Sequence, residues 1–160
     1  MEVIFYQLSD ANFEKILLNL IQKSLTNNWN IEIRFHSIIK LNNFNDYLWT
    51  FEKDSFLVHA TEEDNFLEQQ KILLSLDNNK SDLVLDDKIL NRNSAKVFFC
   101  IGGSTPPLKP DYEKIIIIFY NDGGEEYDRI KKQWYSYKDN NIPIKCYVQN
   151  ENRKWIEKNL

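Results

Sequence analysis

The chain has 160 residues, 42% of them hydrophobic and 28% charged, with a formal net charge of −4. That composition fits a single globular domain over residues 1–160 with a real core, and the acidic balance excludes a surface built to coat a long polyanion. The longest apolar run, residues 115–119, is of strand length, far short of the roughly 18 residues of a membrane span.

Residues 3–8 read as a first strand. Ser9 or Asp10 can cap a helix over residues 12–26, where Phe13, Ile16, Leu17, Leu20, Ile21 and Leu25 recur at helical spacing. Residues 29–35 alternate like a strand, with Ile31, Ile33 and Phe35 on one side. Ser37 opens a second helix that ends near Thr50, with Leu41, Phe44 and Leu48 as its apolar stripe. Residues 71–76 read as a short strand, and the polar, acidic residues 77–93 as an exposed connection. Residues 96–102 and 114–120 are near-continuous apolar runs, the pattern of strands buried on both faces. A third helix over 125–138, a strand over 143–148 and a helical turn or two over 152–158 complete the chain. Strands alternating with helices around apolar central strands predict an α/β fold. The expected architecture is a three-layer domain, a mostly parallel central sheet with helices on both faces.

The four glycines follow apolar strands, as Gly102–Gly103 and Gly123–Gly124. Ligands bind at the carboxyl ends of strands in α/β sheets, so a small nucleotide-binding protein or enzyme using these two strand ends is one reading. However, IGGSTPP lacks the GK[ST] of a P-loop, and its prolines disfavour a helix starting there. NDGG is not GxGxxG. Tight turns are the simpler reading of both. His36 and His59 stand without a GxSxG elbow or an HExxH. The acidic groups Glu62, Glu63, Asp64 and Asp82, Asp86, Asp87 read as solvated carboxylates, so no metal site, cofactor or catalytic residue is expected. Cys100, inside VFFCIG, reads as a small buried hydrophobe. Two cysteines without a CxxC make neither a zinc site nor a disulfide framework. The first ten residues lack the basic-then-apolar pattern of a signal peptide, and a cytoplasmic location is expected.

Charge is unevenly spread. Residues 128–160 hold eight Lys/Arg against four Asp/Glu, a balance of +4 that leaves residues 1–127 at −8. A cationic, aromatic surface on an acidic body points to a small anionic partner docked locally. Direct binding of single-stranded DNA through this face is a further reading, opposed by the overall negative charge.

Several segments, in order, resemble the chi subunit of bacterial DNA polymerase III, a clamp-loader accessory. They are FYQL, then LNNFNDYLWTFEKDSFLVH, then AKVFFCIGG followed by prolines, then IIFYNDGGEE with KKQWYSYKDNNIPIKCYVQNENRKW. The resemblance implies a non-catalytic adaptor of the replicative holoenzyme, Rossmann-like but without a phosphate-binding loop. It implies two partners: the psi subunit of the clamp loader, and the acidic C-terminal tail of single-stranded DNA-binding protein, which ends in Pro-Phe. DNA would be met only indirectly, through that protein. Carried over by position, Tyr120, Lys131, Trp134 and Tyr135 would form the tail site, and Phe56 would face psi or another partner. Helical spacing puts Ile130, Trp134 and Tyr137 on a stripe toward the sheet and Lys131, Tyr135 and Lys138 on an adjacent exposed stripe. Trp134 therefore reads as a core residue with an exposed edge, and Phe56 equally as a core strand residue. Two positions depart from the family pattern. Tyr135 stands where the family commonly has Lys, with Lys132 or Lys138 as possible substitutes, and Val58 stands where it has Pro.

Overall fold

The structure, a computed structural model, describes residues 1–9, 13–50, 57–77, 84–109 and 111–160. Its elements are β1 (Glu2–Leu8), α1 (Phe13–Thr26), β2 (Ile31–Phe35), α2 (Ile38–Thr50), β3 (Ala60–Thr61), β4 (Ile72–Leu76), β5 (Val97–Ile101), β6 (Lys114–Tyr120), α3 (Glu125–Asp139), β7 (Ile144–Gln149) and β8 (Trp155–Glu157). The strands form one sheet in the order β3-β4-β2-β5-β6-β1-β7-β8, parallel throughout except that β8 runs antiparallel to β7. The expected α/β three-layer domain is what forms. No helix among the described residues is long and apolar enough to cross a membrane.

Pleating divides the core in two. Leu17, Leu18 and Ile21 of α1 and Leu41, Phe44 and Leu48 of α2 pack on Ile33, Phe35, Phe99, Ile116 and Ile118 on one face of the sheet. Ile130, Trp134 and Tyr137 of α3 pack on Val3, Phe5, Phe98, Cys100, Ile115 and Ile117 on the other. All five residues of β5 and five of the seven in β6 are buried. Their continuous apolar runs follow from having a layer on each side.

Two expectations are overturned. Residues 152–158 do not make a helical turn; Trp155–Glu157 is an edge strand. Arg153 takes a left-handed backbone (φ 58°), and the Asn150 side chain accepts from the amides of Asn152 and Lys154. That closes a hairpin which lays Trp155 beside Gln149. The connection after β4 is also less exposed than its composition suggests. Asp77, Ile89 and Asn93 are buried, and the Asn93 amide donates to the carbonyls of Ile31 and Gln70. The side chain takes the place of a strand partner, so a polar segment can cover the sheet where α3 does not reach. The short β3 had no sequence signal at all. Residues 10–12, among them Asp10 as a possible cap, lie outside the described residues, as does Asp82.

Under this cover lies Glu32 of β2, with no exposed surface. One carboxylate oxygen accepts from Ser75 at 2.7 Å and faces the guanidinium groups of Arg34 and Arg92 at 3.5 and 3.6 Å. The other has no partner among the described residues. Burial raises the Glu32 carboxyl above its usual range, and the two arginines and Ser75 only partly oppose it. A raised carboxyl means that the folded state holds the proton more tightly. Stability is then greatest below the ordinary carboxylate pKa and falls as pH climbs through the raised one. Glu32→Gln should flatten this slope and melt above wild type at pH 8 but not at pH 4. A wild type that melts higher at pH 8 would mean that arginine pairing outweighs burial.

Candidate functional site

Helix α3 begins after Gly123 and Gly124, with Glu125, Glu126 and Asp128 in its first turn and Lys138 in its last, charges that complement the helix dipole. Its inward stripe is Ile130, Gln133, Trp134 and Tyr137, all buried. Trp134 sits edge-on to Phe5, ring centroids 5.1 Å apart. Gln133 donates to the Ser104 carbonyl and the Tyr137 hydroxyl to the Pro107 carbonyl, at 3.1 and 2.7 Å. The IGGSTPP loop therefore receives α3. Gly102 and Gly103 turn the chain in left-handed conformation (φ 68° and 74°), and a Cβ on Gly103 would lie 3.5 Å from Glu126. The tight-turn reading of these glycines agrees with this geometry.

A polar cluster at the carboxyl ends of β2, β4 and β5 extends the same anchorage. The amide of Thr105 donates to Asp77 at 3.0 Å, and the ring of His36 lies 3.3 Å from the same oxygen. Arg129 Nη1 lies 3.2 Å from His36 Nε2. Arginine only donates, so Nε2 accepts and Nδ1 carries the proton toward Asp77. The nitrogen that a His–Asp pair would use as a base is thus occupied. The Ser104 hydroxyl is committed to the Arg34 carbonyl. What the cluster does chemically is tie α3 to three strand ends.

The outward stripe of α3 is different. Lys131 is part exposed, and Lys132, Tyr135 and Lys138 are exposed, Tyr135 by 55%. Lys131 Nζ lies 3.0 Å from Asp128 Oδ1 and 5.0 Å from the centre of the Tyr127 ring. The hydrogen bond to Asp128 holds its ammonium pKa above the ordinary value. Tyr127 in turn stacks on Phe119, 6.1 Å between centroids. Tyr127, Lys131 and Tyr135 follow at i, i+4, i+8, an aromatic–cation–aromatic strip on one helical face. Tyr127 and Asp128 were not among the residues singled out from sequence. The i, i+4 spacing to Lys131 was the available signal for Tyr127.

The four expected tail-site residues do not share one pocket. Lys131 and Tyr135 lie together on the outside of α3, and Trp134, 5% exposed, lies beneath them in the core. Tyr120 packs toward α1 and α2 on the other side of the sheet. It lines a cavity of about 480 Å³ with Phe13, Phe44, Ile101, Lys40 and Glu126. Phe56 lies outside the described residues. Trp49 at the end of α2 is 47% exposed, its ring 4.6 Å from that of His59 and tilted by 46°, and Val58 is 59% exposed. Of the acidic residues in the β3 turn, Glu62 is no mere solvated carboxylate. It pairs with Arg92 and accepts from the Leu76 amide, while Asp64 accepts from the Thr61 amide. Among the described residues no group of three or more His, Cys, Asp or Glu is placed to hold a metal ion.

Trp134 is therefore a poor reporter of binding. Trp134→Ala should cost about 3–5 kcal/mol of folding stability, as for other large-to-small core changes. Urea unfolding measures it, and a loss below 1 kcal/mol would place the ring outside the core.

Residues 1–145 match the family described as DNA polymerase III chi subunit, HolC. No curated protein matches the chain.

Proposed function

Because the chain belongs to the family of the DNA polymerase III chi subunit, a replication accessory, we propose that it is a non-catalytic adaptor joining the clamp loader to single-stranded DNA-binding protein. The psi subunit is the proposed clamp-loader partner. The observation that carries the reading is the strip Tyr127–Lys131–Tyr135, with Lys138 beyond it, presented by a helix whose opposite stripe is locked into the core. A peptide ending in an aromatic residue and a carboxylate needs a ring contact and a cation within one side-chain length. Tyr127 and Tyr135 offer rings on either side of Lys131. Trp134 acts behind this surface by fixing the helix from below. For psi, the exposed Trp49 and Val58, close to Phe56 in sequence, supply apolar surface. Such a shallow site gives modest, salt-sensitive affinity, on the order of micromolar.

A second reading is favoured by one observation, the cavity at the carboxyl ends of β5 and β6 that Gly102 and Tyr120 line. Its place is where α/β sheets take small ligands. A thermal-shift screen with nucleotides tests it: stabilisation that Lys40→Ala abolishes would favour a nucleotide-binding protein.

Titration calorimetry with an acidic peptide ending in Pro-Phe tests the adaptor. Lys131→Ala should weaken binding by roughly two- to fivefold, as expected for an exposed, charge-assisted contact. Asp128 competes with the peptide carboxylate for Lys131, so Asp128→Asn should tighten binding by roughly two- to fivefold. Tyr135→Lys should tighten it similarly and steepen its salt dependence, since a phenol cannot neutralise charge. Unchanged affinity in all three variants moves the tail off α3.

A further inference from the structure

A second surface lies on the opposite side of the sheet from α3. Two cavities run along the flank of α1. One, about 230 Å³, is lined by Tyr6, Ile16, Asn19, Leu20, Lys23, Tyr147 and Trp155. The other, about 250 Å³, includes Trp29 and Lys114. They share Tyr6, Leu20 and Lys23 and so form one groove, which follows α1 from Ile16 to its end and reaches Asn27 just beyond it, about 16 Å at the helical rise. Tyr6 stacks on Tyr147 at 5.7 Å with an interplanar angle of 26°, and Trp155 stands edge-on to Tyr6 at 5.0 Å while 38% exposed. At the far end Lys114 lies 6.0 Å from the centre of the Trp29 ring. Four aromatic rings thus lie along the groove, and its lysines fall between and beside them.

Charge distinguishes this groove from the cavity at the strand ends. That cavity is lined by Glu14 and Glu126 as well as Lys40. The groove is lined by two lysines and no carboxylate. An acidic peptide with one terminal ring would use a single ring contact and a single cation. Rings repeated along a groove, with cations among them, match a partner that repeats a flat apolar group and an anion. Single-stranded nucleic acid has that form, with bases to stack and phosphates to pair. We propose that the groove of Tyr6, Lys23, Trp29, Lys114, Tyr147 and Trp155 binds a short stretch of single-stranded nucleic acid, independently of the α3 surface. The net negative charge of the chain opposes long-range attraction, so binding is weak and confined to low salt. Tyr147 and Trp155 lie beyond the residues matched by the family. The sequence pattern predicts the strand that carries Tyr147, whereas it reads the segment that carries Trp155 as a helical turn.

The test is titration with an oligothymidine of roughly fifteen nucleotides at low salt, read by quenching of tryptophan fluorescence, since Trp29 and Trp155 both line the groove. Two lysine–phosphate contacts predict a slope of log K against log salt of about −1.4. Trp155→Ala and Lys23→Ala, both at exposed positions, should each weaken binding at least fivefold with an unchanged circular dichroism spectrum, and Lys23→Ala should halve the salt slope. Lys132→Ala on α3 should leave binding as it is. Absence of quenching at low salt would overturn the proposal. So would binding that is indifferent to both groove variants, or an acidic Pro-Phe peptide whose binding, in place of the oligonucleotide's, is lost in those variants.

Discussion

The rotational setting of α3 on the sheet is the constraint on which the proposed tail site depends. Ile130, Trp134 and Tyr137 hold the helix down through apolar burial, worth roughly 1.5–3 kcal/mol for each large side chain. Gln133, Tyr137 and Arg129 then fix its rotation by reaching the loop after β5 and the cluster of His36 and Asp77. Each such bond is worth only about 0.5–1.5 kcal/mol net. Their value lies in direction: a helix pinned at three successive positions along one side has no freedom to turn. The outer strip of Tyr127, Lys131 and Tyr135 is consequently held at one height and angle before any partner arrives, and little ordering remains to be done on binding.

At the carboxyl edge of the sheet the loop after β5 supports α3. In a nucleotide-binding α/β domain the loop after such a strand points amide groups at phosphate. Here Gly102 and Gly103 make the turn, and the carbonyls of Ser104 and Pro107 accept from α3 side chains. The Thr105 amide, which phosphate could otherwise attract, donates to Asp77. A loop whose carbonyls meet α3 and whose Thr105 amide meets Asp77 is a fixed mount for that helix.

Sequence reasoning read the central part of the fold well because burial on both faces leaves a strong signature. The runs at β5 and β6 and the stripes of α1, α2 and α3 all belong to residues whose environment is set by layers the pattern itself announces. It failed where local polar contacts decide. The β8 hairpin rests on Asn150 and a left-handed Arg153, and in a chain rich in Asn neither stands out. The cover over Glu32 rests on Asn93 replacing a strand partner, which composition reads as a loop. For the candidate site, the outward placement of Lys131 and Tyr135 and the inward placement of Trp134 followed from helical spacing. The hold of Asp128 on Lys131 and the position of Tyr120 across the sheet did not, because both depend on which face of an element a neighbour occupies.

Asp128 gives the α3 surface a physical character that charge counting misses. Lys131 is not a bare cation waiting for an anion; it already has a carboxylate at 3.0 Å on the same helix. An exposed pair of this kind is worth little. Its cost falls directly on any incoming carboxylate, which must exchange with Asp128. Selectivity follows from the exchange. A lone surface carboxylate offers no more than Asp128 already supplies. A partner that brings a carboxylate together with an aromatic ring gains contact with Tyr127 or Tyr135 as well, and the ring contact tips the balance. In the proposed tail site, a weakly occupied cation between two flanking rings would therefore favour aromatic-ended acidic peptides over acidic surfaces in general.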